Sequence, residues 1–268
     1  MQQRISIFQV DSFTDTVFKG NPAAVCPLME WLDDSTLQNI AIENNLAETA
    51  FFVKTGMGHY KLRWFMPHGE IDLCGHATLA SAWVILFELH SEWNKVTFDS
   101  LSGPLVASKC SNGCIELDFP SAKPILHQDP DEIKKVLAQA FSLTPKEIYT
   151  SRDLILIYEK EEQIRNMKPN LDILKNLPYL CTVISAPGQN VDFVSRVFDA
   201  NAPTMQEDPV TGSVHCSLAP IWSHKLKKKE LTAVQLSERT GYLHCEIKGD
   251  RICLRGHAVL YLKGEIII

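Results

Sequence analysis

Short apolar runs alternate with polar ones along the chain, and many of them read as short strands. Residues 5–10 alternate with a period of two, the mark of a half-buried strand. Phe18-Lys19-Gly20-Asn21-Pro22-Ala23-Ala24-Val25 then reads as a Gly-Asn-Pro turn leading into a second strand. Residues 35–45 change period: Leu37, Ile40 and Ala41 share one helical face, with Asp34 or Ser35 as the cap. Residues 50–53 and 61–65 predict strands. An apolar helix from Gly75 to about Leu89, buried on most sides, follows. Short strands at 96–99, 105–108 and 114–119 close this half.

The second half repeats the order. A helix over 130–141 precedes a strand at 154–158, helical turns over 161–176, and strands at 181–185 and 192–198. A helix from Gly212 to about Leu226 comes next, then strands at 233–236, 243–248, 251–254 and 258–262, the last of which could run on into 264–268. Each of the two apolar helices follows a strand carrying Arg-x-Phe: Arg63-Trp64-Phe65 and Arg196-Val197-Phe198. Each is followed by a strand, a Gly turn and a hairpin with Asn112-Gly113 or Gly249-Asp250 at its tip. Gly75 to Gly103 spans 28 residues and Gly212 to Gly241 spans 29, so the chain reads as an internal duplication. The expected domains are 1–120 and 121–268, with the last strand packing either on its own half or on the first. Pro120, Pro124 and Pro130 punctuate the link.

Length and charge narrow the function classes. The 268 residues suffice for one large domain or two ordinary ones, and the 45% hydrophobic content suits a globular protein. A net charge of −6 argues against a nucleic-acid binder. Lys227-Lys228-Lys229, with Lys225 before it, reads as a solvated turn after a helix. No run reaches the ~18 apolar residues of a membrane span. The start of the chain lacks a signal peptide's apolar core, so a soluble, cytoplasmic protein is expected. The eight cysteines include no CxxC pair and read as buried free thiols. A metal site at His215 and Cys216 lacks any supporting ligand spacing.

The chemistry concentrates where the strands meet the two apolar helices. Asp72-Leu73-Cys74-Gly75-His76-Ala77-Thr78 opens one, and Glu207-Asp208-Pro209-Val210-Thr211-Gly212-Ser213 opens the other. Such junctions aim free backbone N–H groups and a positive dipole end at whatever lies in front. Two of them suggest halves facing each other across a site for a small anion. Glu48 lies between a polar helix and an apolar strand, and desolvation there makes a carboxylate a stronger base. His76, at a helix start, is expected neutral, as a proton relay or substrate-orienting group, or simply as a local hydrogen-bonding residue. Asp208 is a second carboxylate or a turn cap. Thr211 and Ser213 set hydroxyls beside free N–H groups. There is no GxSxG, P-loop or GxGxxG, and nothing points to a nucleotide, flavin or metal. Carboxylate and imidazole acid–base chemistry without a cofactor remains, which fits isomerisation, epimerisation or racemisation.

These segments, with Asn45-Leu46-Ala47-Glu48-Thr49 and the Gly20–Val25 turn, resemble the PhzF-like family, the phenazine biosynthesis isomerase and its relatives, over almost the whole chain. The resemblance implies a diaminopimelate-epimerase-like fold. Each of two pseudo-symmetric α/β domains would wrap a curved, barrel-like, mostly antiparallel sheet around a central helix. It implies Glu48 as the acid/base that moves a proton between substrate carbons, His76, Asp208 and Ser213 as assistants, no cofactor, and a homodimer. Gly75, Thr211, Gly212, Ser213 and Asn21 would bind a small carboxylate. Related epimerases use two thiols; Cys74 matches the first position, but the second half offers no counterpart. Arg239-Thr240-Gly241 also departs, standing where relatives often carry two glycines. A cofactor-independent isomerase is the reading favoured, with a non-catalytic carboxylate-binding protein, or a racemase or epimerase using Cys74, as alternatives.

Overall fold

A computed structural model describes residues 2–128, 130–202 and 205–268. The chain divides into two units, Met1–Phe119 with Cys253–Ile268, and Pro120–Ile252. The second unit is therefore shorter than the expected 121–268. Residues 253–268 fold with the first unit, because the last strand pairs with the first.

The first unit begins with β1 (Arg4–Ser12) and β2 (Asn21–Leu28), followed by α1 (Asp34–Asn44). It continues with β3 (Glu48–Gly56), β4 (His59–Met66) and the short β5 (Gly69–Ile71). Then come α2 (Gly75–Trp83), β6 (Lys95–Ser100), β7 (Gly103–Lys109) and β8 (Ile115–Pro120). β1 pairs antiparallel with β2, and β2 pairs parallel with β3 across α1. β4 pairs antiparallel with β3 on one side. On the other side it meets β5 antiparallel and β6 parallel, so α2 is the crossover between them. β6, β7 and β8 form a meander.

The second unit follows a similar plan. β9 (Ile125–Leu126), α3 (Pro130–Phe141), β10 (Glu147–Thr150) and β11 (Leu154–Ile157) lead to α4 (Glu161–Asn166) and α5 (Leu171–Leu174). β12 (Thr182–Pro187), β13 (Phe193–Phe198), β14 (Glu207–Asp208) and α6 (Gly212–Leu226) follow. β15 (Glu230–Gln235), β16 (Gly241–Lys248), β17 (Arg251–Gly256) and β18 (Ala258–Ile267) complete the chain. β11 runs parallel to β12 as β2 does to β3. β13 meets β14 antiparallel and β15 parallel across α6, as β4 meets β5 and β6 across α2. Two copies of one βαβ-containing unit account for this recurrence, including the two very short strands that sequence periodicity misses.

Local chemistry explains the element ends. Asp33, one residue earlier than expected, caps α1 by accepting the Thr36 N–H at 2.9 Å. Asn45 ends α1 in the left-handed region at φ 48°, with its N–H on the Ala41 carbonyl. The apolar helix predicted through Leu89 is regular only to Trp83. Over Val84–Leu89 it widens to π-helical turns, and the His90 N–H bonds the Ile85 carbonyl, five residues back, at 2.7 Å. β18 pairs with β1 from Arg4↔Ile267 to Ser12↔Ala258.

α2 is the centre of the first unit. Gly75 through Ala82 are all buried, and the helix packs on β1, β2, β3, β7 and β18. A sheet touching one helix with so many strands must curve around it. The outer face of that sheet, through Ile7, Ala24, Cys26, Phe51 and Phe65, packs on Leu37, Ile40 and Ala41 of α1. In the second unit α6 is buried from Val214 to Ala219 and again at Ile221 and Trp222. Trp222 donates its indole N–H to Ser185 on β12 and stacks on Phe193 of β13. A separate cluster gathers Leu137, Phe141, Ile164, Leu174, Ile184 and Phe198. No helix among the described residues is long and apolar enough to cross a membrane.

Candidate functional site

The two Arg-x-Phe segments do the same local job. Arg63 makes a bidentate pair with Glu70 on β5, both contacts at 2.7 Å, and its guanidinium lies over Phe65. Arg196 makes the equivalent pair with Glu207 on β14 at 2.7 and 2.8 Å, over Phe198. Each clamped glutamate stands five residues before the first helical glycine, Gly75 or Gly212. Bidentate Arg–carboxylate pairs fix direction as well as distance. The clamps therefore set the path of the chain into each helix start.

In the first unit that start carries Cys74, Gly75 and His76. Cys74 is the extended residue ahead of α2, and no side chain caps the helix. His76 is buried and held from two sides by one cross-strand pair, Ser12↔Asn21. Ser12 donates its hydroxyl to the His76 carbonyl at 2.8 Å. The Asn21 amide nitrogen lies 3.2 Å from Nδ1 of the ring. The other ring nitrogen, Nε2, is 2.9 Å from Oε2 of Glu48. Glu48 opens β3 opposite Ala23 and is 9% exposed. Neither Nε2 nor Oε2 has a second hydrogen-bond partner. Glu48, His76, Gly75 and Asn21 thus form one buried cluster, with Ser12 as a brace that sequence reading missed.

Charge in this cluster favours a proton on His76. Burial opposes a charged ring, but the Cys74 sulfur and the Glu48 carboxylate beside it outweigh burial and raise its proton affinity well above the ordinary value. The helix dipole alone would keep the ring neutral, as the sequence suggests; its two acidic neighbours reverse that. The Asn21 amide against Nδ1 fixes the plane of the ring, so that Nε2 faces Glu48. Burial, and next the Glu48 charge, push the Cys74 thiol up to about 11. Its sulfur lies 3.5 Å from Nδ1. Cys74 is thereby kept as a thiol, a poor base at neutral pH.

Ligand atoms of Glu48, Cys74 and His76 lie within 4.8 Å of one another, close enough for a cation. The imidazole stands between the other two, with Nδ1 toward Cys74 and Nε2 toward Glu48. A metal binds along one ring lone pair, so a single ion could not reach both neighbours unless the ring turned. The arrangement suits proton sharing better than metal binding. His215 and Cys216 are both buried on α6, and the Nδ1 of His215 is already 2.9 Å from the Thr211 carbonyl.

The second unit holds Asp208, Thr211, Gly212 and Ser213 in one loop. The Thr211 hydroxyl donates to Oδ2 of Asp208, and the Thr211 N–H donates to Oε1 of Gln235 at 2.9 Å. Gln235, fully buried, returns its amide N–H to the Asp208 carbonyl at 2.7 Å. Both donors of Thr211 are therefore engaged inside the loop, and it braces rather than offers them. Gly212 and Ser213 open α6, which no side chain caps. Arg152, in the turn between β10 and β11, donates to the Ser213 hydroxyl at 3.1 Å. Nothing in Thr150-Ser151-Arg152-Asp153 marks that arginine from sequence, and Gln235 is equally unmarked.

Gly241 backs this loop. A Cβ there would lie 2.1 Å from Cγ2 of Val210, which is fully buried. Gly241→Ala is expected to destabilise the protein by about 1–3 kcal/mol through overpacking. Chemical denaturation of the two proteins checks this, and equal midpoints would contradict it. The preceding Thr240 takes φ 60°, a conformation costly for a β-branched residue. The turn keeps the shape that glycine would favour, because the Thr240 N–H and hydroxyl both bond Ser237.

Comparison with known proteins agrees with this architecture. The phenazine biosynthesis-like protein family (PhzC–PhzF) matches residues 10–264. An uncharacterized isomerase of Pseudomonas aeruginosa is 44% identical over 262 residues, 98% of each chain. The crystal structure of a phenazine biosynthesis protein of the PhzF family from Enterococcus faecalis is 42% identical. It superposes with a TM-score of 0.93 over 99% of this chain and 100% of that one. A hydroxyproline epimerase from Agrobacterium vitis, 8% identical, shares the fold at a TM-score of 0.62 over 99% of this chain and 93% of that one. The chain belongs to the phenazine biosynthesis-like PhzC–PhzF family.

Proposed function

We propose that this protein is a cofactor-independent isomerase that moves a proton between carbons of a small carboxylate, with Glu48 as the acid/base. The observation that carries this reading is the buried Glu48–His76 pair, with Oε2 and Nε2 2.9 Å apart and no other partner on either atom. A carboxylate held in a dry pocket beside an N–H donor can accept a proton from carbon and return it to another carbon. His76, drawn toward its charged form, sits where negative charge would build on the substrate and offsets it. The uncapped start of α2 supplies N–H groups and a positive dipole end for an anionic group. Gly212, Ser213 and Arg152 offer similar recognition in the second unit. Asp208 acts by holding Thr211 and the path of the loop. A thiol base at Cys74 is less favoured, because its pKa of about 11 leaves little thiolate at neutral pH. Relatives named as isomerases support the same class of reaction.

Asn21 positions the imidazole in this account. Asn21→Leu removes the amide that holds the ring at Nδ1 and is expected to cut turnover about tenfold, a rise of about 1.4 kcal/mol in the barrier. The expected readout is a shifted Nδ1 resonance of His76 in ¹⁵N NMR, with the fold retained. An unchanged Nδ1 resonance with lost turnover would remove Asn21 from that role.

The reading is tested by incubating the protein with a panel of small carboxylates in D2O and following carbon-bound hydrogen by NMR. Deuterium entering a carbon position supports an isomerase and reports its substrate class. Binding of panel members without any exchange would favour a carboxylate-binding protein instead.

A further inference from the structure

Cys110 and Cys114 stand on the two arms of the tight turn between β7 and β8. The Cys110 N–H donates to the Cys114 carbonyl at 2.9 Å, and the Gly113 N–H donates to the Cys110 carbonyl at 3.0 Å. Gly113, at φ 83°, supplies the left-handed step that the three-residue turn requires. These bonds set the two cysteines directly opposite each other. Opposed residues in such a hydrogen-bonded pair have Cα atoms about 5.5 Å apart, inside the ~4.4–6.8 Å that a disulfide spans. Side chains of opposed residues share one face of a hairpin. The two thiols lie within hydrogen-bond reach, and after burial this contact is the main reason the Cys114 thiol is pushed up to about 12.

Access differs between the two sulfurs. Cys110 is part-exposed, while Cys114 is buried. Of the eight cysteines only Cys181 shares the part-exposed state of Cys110; the other six are buried. Around Cys114 the Arg255 guanidinium favours a thiolate and the Glu116 carboxylate opposes it. An accessible thiol with a buried thiol directly across a fixed turn is the arrangement of an attacking and a resolving cysteine.

We propose that Cys110 and Cys114 form a redox-active thiol pair that reacts with a low-molecular-weight disulfide and closes to an intrachain disulfide. The Cys110 thiolate attacks one sulfur of the oxidant. That S–S bond breaks, and one half leaves as a thiolate. The Cys114 sulfur then attacks the Cys110 sulfur of the mixed disulfide and expels the other half. The two thiol protons end on the two released thiolates. The protein loses two electrons and the oxidant gains them. The product staples the β7–β8 hairpin of the first unit.

The full-length native protein is treated with glutathione disulfide, alkylated and analysed by intact mass and peptide mapping. The expected result is loss of two free thiols, no retained glutathione, and one peptide in which Cys110 and Cys114 are joined. Cys110→Ser, a change at a part-exposed position, is expected to abolish that thiol loss. Cys114→Ala is expected to leave one glutathione trapped on Cys110. The proposal is overturned by glutathione retained on Cys110 in the unsubstituted protein, by no thiol loss at all, or by the same loss in Cys110→Ser.

Discussion

Glu48→Gln lowers turnover by about 10²–10⁴-fold while the protein stays folded. That range is the usual contribution of a positioned general acid or base, about 3–5 kcal/mol of barrier. Glutamine matches glutamate in size and keeps an oxygen that can face Nε2 of His76, so the packing around β3 is retained. What it loses is the ability to take a proton from carbon. The substitution also removes the carboxylate charge beside His76, so the imidazole's proton affinity falls toward its ordinary value. NMR titration of His76 in both proteins reads that fall independently of activity. Thermal melting reads the fold. A loss of turnover below tenfold in a folded variant would take the base away from Glu48.

The second large effect concerns stability in acid. His215 is fully buried on α6, and burial lowers its pKa from 6.5 to about 4 despite the bond to the Thr211 carbonyl. Its Nδ1 is engaged by that carbonyl, its Nε2 has no partner, and Phe193 stacks on the ring. The folded protein therefore binds this proton less readily than the unfolded chain does. Stability from this residue is complete above about pH 6.5 and is lost as pH falls toward 4, where the folded ring titrates. The whole step amounts to about 3 kcal/mol. His215→Gln keeps a donor for Thr211 and has no charge to acquire. Denaturant unfolding between pH 7 and 4 is expected to show a steeper loss in the unsubstituted protein than in His215→Gln. Equal slopes would mean that His215 does not set the acid limit.

How far the sequence announces this molecule depends on where each signal resides. The two central helices announce themselves because Gly75 to Ala82 and Val214 to Trp222 are rich in small and apolar residues and carry no Asp, Glu, Lys or Arg. The duplication is visible in the spacing of the Arg-x-Phe strands and helix glycines. β5 and β14 escape notice, since Gly69-Glu70-Ile71 and Glu207-Asp208 carry no period-two pattern and exist by pairing beside β4 and β13. Periodicity gives a strand near the C-terminus but not its partner, because Arg4 and Ile267 meet across nearly the whole chain. The π-helical turns over Val84–Leu89, where Ile85 and Leu86 are fully buried, leave no mark in the apolar pattern.

The site divides in the same way. Glu48 stands out in sequence by its place between a polar helix and an apolar strand. His76 stands out by following Gly75 at a helix start. Their contact is a tertiary fact, as is the raised proton affinity that follows from having Cys74 and Glu48 on either side. Ser12 reads as the polar end of an ordinary strand, yet it fixes the backbone of His76. Thr211 reads as a free hydroxyl, but Gln235, twenty-four residues on, engages its N–H. Arg152 lies sixty-one residues before Ser213, and only the fold joins them.

The central claim is that Glu48 moves a proton at carbon. It is tested most directly by the rate of deuterium entry from D2O into one substrate, measured side by side for the unsubstituted protein and Glu48→Gln. The account predicts labelling at a carbon position by the first and a rate at least a hundredfold lower in the second, with both proteins folded and both binding the substrate. Labelling at an unchanged rate in Glu48→Gln would contradict it and would move the search for the base to Cys74.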